Sequence, residues 1–144
     1  MYGNQVDFGV LVGKTITQVH RIDSDWDNEK VVFVMADGTG IMLYHNQDCC
    51  ENVYLDDVTG DFARICNTPV LVAYESSNQE EENYGSQTWT FYHIATVVDT
   101  VVLRWIGQSN GYYSEGVDVY TLSKNELYDL LVTNYLIDEE GEDA

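Results

Sequence analysis

The stretch His45-Asn46-Gln47-Asp48-Cys49-Cys50-Glu51 gathers an imidazole, two thiols and two carboxylates. Thiolates and imidazole are zinc ligands, and a carboxylate completes or orients such a site. The metal reading therefore rests on His45, Cys49, Cys50 and Glu51, with zinc as the ion. The spacing differs from that of a closed structural zinc site, which uses Cys-x2-Cys or His-x3-His pairs. Adjacent cysteines in an extended chain point to opposite faces, so only one of Cys49 and Cys50 would join His45. A fourth ligand would come from Cys66, His93 or a carboxylate. The same residues also read as a thiol nucleophile, with His45 as base and Asp48 or Glu51 orienting it. Nearby carboxylates oppose that reading, because negative charge disfavours a thiolate. In a third reading one cysteine packs in the core, Asp48 forms a turn and His45 hydrogen-bonds locally.

A second candidate is Asp23-Ser24-Asp25-Trp26-Asp27-Asn28-Glu29. Alternate aspartates supply hard oxygen ligands at the spacing of a calcium loop. Asn28 stands where such a loop needs glycine, and Val34 where it needs a bidentate glutamate. The stretch is not an EF-hand, and it reads best as an acidic turn that also discourages aggregation. A third candidate, Trp105 to Gly116, is aromatic and polar and includes Tyr112 and Tyr113. Neighbouring tyrosines on a hairpin make either rigid amphipathic contact surface or a packed shield for the sheet. His93 alternates with Trp89 and Phe91 and reads as a histidine of the sheet face or core.

The elements that would position these residues are mostly strands. Thr15–Ile22, Lys30–Ala36 and Gly40–His45 are rich in β-branched or apolar residues, and Asp37-Gly38 between the last two is a hairpin signal. Val53–Leu55, Pro69–Glu75, Gln87–Val97 and Thr100–Ile106 read as further strands, the last two joined by a tight turn at Val98-Asp99. Asn110-Gly111 predicts a second hairpin leading into Tyr112–Leu122, and Ser76–Ser86 reads as a polar loop. Phe62, Ile65 and Cys66 are spaced for one short helix within Thr59–Asn67. Ser123 and Glu126 form a capping box ahead of a stripe of Leu127, Leu130 and Leu131. The expected fold is α+β: a mainly antiparallel sheet of about six to eight strands, a short helix, and a C-terminal helix packed on the sheet. One domain should span residues 1–137, followed by an acidic tail at 138–144.

The chain has 144 residues, with 25 acidic and 6 basic side chains, for a formal charge of −19. Six scattered cations cannot follow a phosphate track, so direct nucleic-acid binding is excluded, as is an anionic membrane surface. With 44% hydrophobic residues the chain can still bury a core. No apolar run reaches the length of a membrane span, and the N-terminus lacks the basic start of a secretory signal. Cys49, Cys50 and Cys66 are an odd number with two adjacent, unlike a disulfide framework, which points to a reducing cytoplasm.

The strings His45-Asn46-Gln47-Asp48-Cys49-Cys50-Glu51 and Ser109-Asn110-Gly111-Tyr112-Tyr113-Ser114 carry a resemblance. Gly13-Lys14-Thr15-Ile16, Asp56 and Asp57 with Gly60-Asp61, Thr88-Trp89-Thr90-Phe91-Tyr92 and Arg104-Trp105 extend it. From Gly13 to Tyr120 the chain resembles a family of small, functionally uncharacterised bacteriophage and prophage proteins. The resemblance implies a phage context and brings no activity or catalytic residues.

Two functions follow as expectations. In the first, the protein acts in the host cytoplasm by occupying the basic surface of a host defence protein that binds nucleic acid, as an anti-CRISPR or anti-restriction DNA mimic would. Its contact residues would be Asp23, Asp25, Asp27, Glu29, Asp56, Asp57, Asp61, Glu80, Glu81 and Glu82, with Tyr112 and Tyr113. The alternative is a metal- or thiol-dependent site at His45, Cys49, Cys50 and Glu51. No residue set identifies a catalysed reaction.

Overall fold

A computed structural model describes residues 4–24, 27–82, 85–111 and 113–134. Asp25, Tyr112 and the tail at 138–144 lie outside the described residues.

The fold is α+β and mainly antiparallel, but the strands divide into two four-stranded sheets rather than forming one. The first orders β1 (Ile16–Ser24), β2 (Asp27–Met35), β3 (Gly40–Tyr44) and β8 (Asp118–Leu122). The second orders β4 (Asn52–Thr59), β7 (Thr100–Ser109), β6 (Gly85–Ala95) and β5 (Val72–Glu82). Between them lies a closely packed core of Val31, Phe33, Ile41 and Leu43 against Leu55, Tyr92, Leu103 and Trp105. A short 3-10 helix, Phe8–Leu11, adds Phe8, whose ring centroid is 4.8 Å from that of Tyr92 and 6.2 Å from that of Phe33.

From Lys30 to Met35 β2, like the whole of β3, is largely buried on both sides, and each side has its own cause. Val31, Phe33, Ile41 and Leu43 face the second sheet. Val32 and Met42 face Leu127, Leu130 and Leu131 of helix α2 (Lys124–Thr133). The apolar run Lys30–Ala36 thus reflects a strand held between a sheet and a helix. The Ser123–Glu126 capping box is formed in full. The Asp37-Gly38 turn also forms, with Gly38 at φ +88, where a side chain would be strained.

Four sequence expectations need correction. Ser76–Ser86 is not a loop: β5 continues to Glu82 and pairs with β6 along its whole length. It is an edge strand exposed on both faces from Tyr74 to Glu81, so no apolar alternation marks it. Asn110-Gly111 does not open a hairpin. After β7 the chain crosses to the other sheet, where β8 pairs with β3. The first helix, α1, is only Phe62–Ile65, because Thr59 still belongs to β4 and Asn67 takes a positive φ of 67. The strand expected at Val53–Leu55 extends over Asn52–Thr59.

Candidate functional site

The two distinctive strings meet at one end of the sandwich. Tyr44 ends β3 and Asn52 begins β4, so residues 45–51 bridge the two sheets. Residues 110–117 cross back between β7 and β8 beside them. His45 joins the two loops: Nδ1 lies 2.7 Å from the Gly116 carbonyl oxygen, and Nε2 lies 2.8 Å from Glu51 Oε2. Both ring nitrogens thus face oxygen atoms, one on each loop. The pair is buried, with side-chain exposures of 2% and 0%.

Glu51 organises its own loop. Its Oε2 also accepts the Asp48 amide at 2.9 Å, and its Oε1 accepts the Cys49 amide at 2.8 Å and Gln47 Nε2 at 3.1 Å. Burial pushes this carboxyl up, but the Cys49, Asp48 and Glu51 amides and the His45 ring outweigh burial and hold it at about 2. Gln47 Nε2 further donates to the Glu51 carbonyl at 2.6 Å.

Glu115 does the equivalent work in the second loop. Its carboxylate accepts the hydroxyls of Ser86, Ser109 and, at 2.8 Å, Thr88. Burial again raises this carboxyl, and the Ser109, Ser86 and Thr88 hydroxyls bring it below the ordinary glutamate range. The loop lies directly on β7 at Gly107, where an added Cβ would collide with the Glu115 backbone oxygen. Sequence reading missed Glu115 as an anchor. Its position beside the Ser109–Ser114 string was the available signal, but its hydroxyl partners on β6 are remote in sequence.

This geometry bears on both chemical readings of the cluster. His45 and Glu51 are brought together but engage each other. Cys49 and Cys50 are exposed, and their sulfurs are bonded to each other, so in this structure neither offers a thiolate. Cys66 is free, and the one disulfide joins neighbouring residues rather than forming a framework. Among the described residues, no group of three or more His, Cys, Asp or Glu side chains is arranged to hold a metal ion. Cys66 lies far from the cluster, after α1, with its thiol on the Phe62 carbonyl. Burial and the charge of Asp61 raise that thiol's pKa.

The acidic residues divide between the two ends. The strand registers put Ile22, Lys30, Tyr44 and Asp118 in one row, and Asn52, Gln108, Gln87 and Glu80 in another. Both rows flank the 45–51 loop. The β1–β2 hairpin with Asp23, Asp27 and Glu29, and the β5–β6 hairpin with Glu80, Glu81 and Glu82, therefore share an end. Glu29 is pinned there, accepting Arg21 Nη2 and the Leu55 amide, each at 3.1 Å. Asp56 and Asp57 lie partway along β4, where Asp56 pairs with Arg104 at 2.5 Å. Asp61 is at the far end and caps α1 by accepting the Ala63 amide at 3.0 Å. Tyr113 is half-buried.

No helix among the described residues is long and apolar enough to cross a membrane. No curated protein and no solved structure matches the chain. Residues 10–119 match the model of a family described as Domain of unknown function (DUF7448), a stretch that includes both loop strings, and the chain belongs to that family.

Proposed function

We propose that this is a phage-encoded acidic protein that acts in the host cytoplasm by binding and inhibiting a host defence protein of the anti-CRISPR or anti-restriction target class. The partner presents a basic surface that ordinarily holds nucleic acid. The observation that carries this reading is the excess of negative charge and its placement. Against 25 acidic residues stand only 6 lysines and arginines. Arg21, Arg64 and Arg104 are already taken up by Glu29, Asp99 and Asp56. Two acidic hairpins share one end of the sandwich, flanking a loop pair that two buried carboxylates hold in place. An anionic end of this kind is steered to a cationic groove and competes there with phosphate.

The test is competition at several salt concentrations. The protein should displace duplex DNA from a basic DNA-binding defence nuclease, and its affinity should fall steeply between about 0.05 and 0.5 M salt. Replacing Glu80 and Glu81 with glutamine should weaken binding with little change in stability, since both side chains are exposed. Binding that ignores both salt and these substitutions would refute the charge-based reading.

A further inference from the structure

The outer face of the sheet β4-β7-β6-β5 has its own chemistry. Side chains alternate across a strand, and Leu55, Tyr92, Ile94, Leu103 and Trp105 point into the core. The opposite parity, read across the register, places Tyr54 beside Ile106, Trp89 and Asn78, and Val102 beside His93 and Tyr74. Helix α2 covers the other sheet, and Phe8, Leu11 and Ile65 of the two shorter helices are buried in the core between the sheets. Tyr54, Val72 and Tyr74 are exposed by 38%, 45% and 49%. Exposed apolar groups gathered on one sheet face are a mark of interaction sites.

The face already shows how it holds a cation. The Arg104 guanidinium sits 5.4 Å from the Trp89 ring centroid while its Nε and Nη2 bind Asp56 Oδ2 at 2.8 and 2.5 Å. An aromatic plane with a carboxylate beside it is the arrangement that suits arginine, whose flat, weakly hydrated guanidinium both stacks and forks. The elements recur nearby. Tyr74 and His93 stack with centroids 4.3 Å apart, Tyr54 is exposed, and Asp57 and Glu80 are exposed acids along the same sheet. A second copy of this chain is a poor occupant, because each brings a charge of −19.

We infer that this face is a docking surface for an arginine-rich segment of a partner protein, whose guanidinium groups stack on Tyr54 and Tyr74 and pair with neighbouring carboxylates. The inference rests on the proposed function only in taking the partner to be cationic. It adds a second contact surface, and a preference for arginine over lysine that charge alone does not produce.

The experiment uses the full chain with nona-arginine and nona-lysine peptides as probes, measured by titration calorimetry at 0.15 M salt. Nona-arginine should bind about fivefold more tightly than nona-lysine. Tyr54→Ala and Tyr74→Ala should erase most of that preference, with melting temperatures showing that the variants stay folded. Glu80→Gln with Glu81→Gln should weaken both peptides alike. Equal binding of the two peptides, or an arginine preference that survives both tyrosine substitutions, overturns the inference and leaves the acidic-surface reading standing. Failure of both peptides to bind overturns this inference and the acidic-surface reading together.

Discussion

Replacing Glu51 with glutamine is the sharpest test of how the 45–51 loop is built. Each Glu51 oxygen accepts two donors: Oε2 takes His45 Nε2 and the Asp48 amide, and Oε1 takes the Cys49 amide and Gln47 Nε2. A glutamine side chain turned one way points its NH2 group at the Cys49 amide and Gln47 Nε2, and turned the other way at the Asp48 amide, so at least one N–H donor loses its acceptor. His45 also loses its charged partner in a buried site. Leaving buried donors without their charged acceptor typically costs about 1–3 kcal/mol each, and about 3 kcal/mol in all suits a loop that can relax. The titration of Glu51 gives a similar figure. A carboxyl held at about 2 rather than its ordinary 4.5 corresponds to about 3 kcal/mol. Because the folded value is the depressed one, this stability is present above pH 4.5 and is lost as pH falls from 4.5 toward 2. Urea unfolding of wild type and Glu51→Gln should therefore show a gap of about 3 kcal/mol at pH 7 that narrows steadily toward pH 2. A gap below about 0.5 kcal/mol at pH 7, or one that stays constant with pH, would refute the assignment of Glu51 as the anchor.

Other expectations follow from the same structure. Glu115→Gln should destabilise by about 1–3 kcal/mol, since it weakens a buried carboxylate's bonds to three hydroxyls, and its penalty should shrink as pH falls below the ordinary glutamate range. Gly107→Ala should cost at least as much, because the added Cβ meets backbone rather than a flexible side chain; a neutral result by thermal melting would mean that the 110–117 loop does not lie on β7. Leu130→Ala should cost about 2–4 kcal/mol by removing α2 packing from the first sheet, and Ser123→Ala about 1 kcal/mol by removing the cap, both read by chemical denaturation. Dialysis against a chelator should leave the melting temperature unchanged, because His45 and Glu51 hold each other; a fall of several degrees would support the zinc reading.

Local features of this protein could be read from its sequence because their causes lie within a few residues. Asp37-Gly38 makes its turn because glycine accepts a positive φ, and Ser123 and Glu126 cap α2 because their donors are three residues apart. The helical stripe of Leu127, Leu130 and Leu131 and the strand character of β2, β3, β6 and β7 follow from side-chain type and period in the same way. β5 was hidden because its pairing with β6 is a backbone matter that its exposed polar side chains do not report. The division into two sheets was hidden too, since alternation along a strand does not say which strand it pairs with. The candidate site depended most on tertiary structure. The sequence singled out both loop strings, yet His45 meets Gly116 across 71 positions, and Glu115 reaches Ser86 and Thr88 across 29 and 27. Only the folded chain shows that these carboxylates are buried and hydrogen-bonded, because the groups around them come together from distant parts of the sequence.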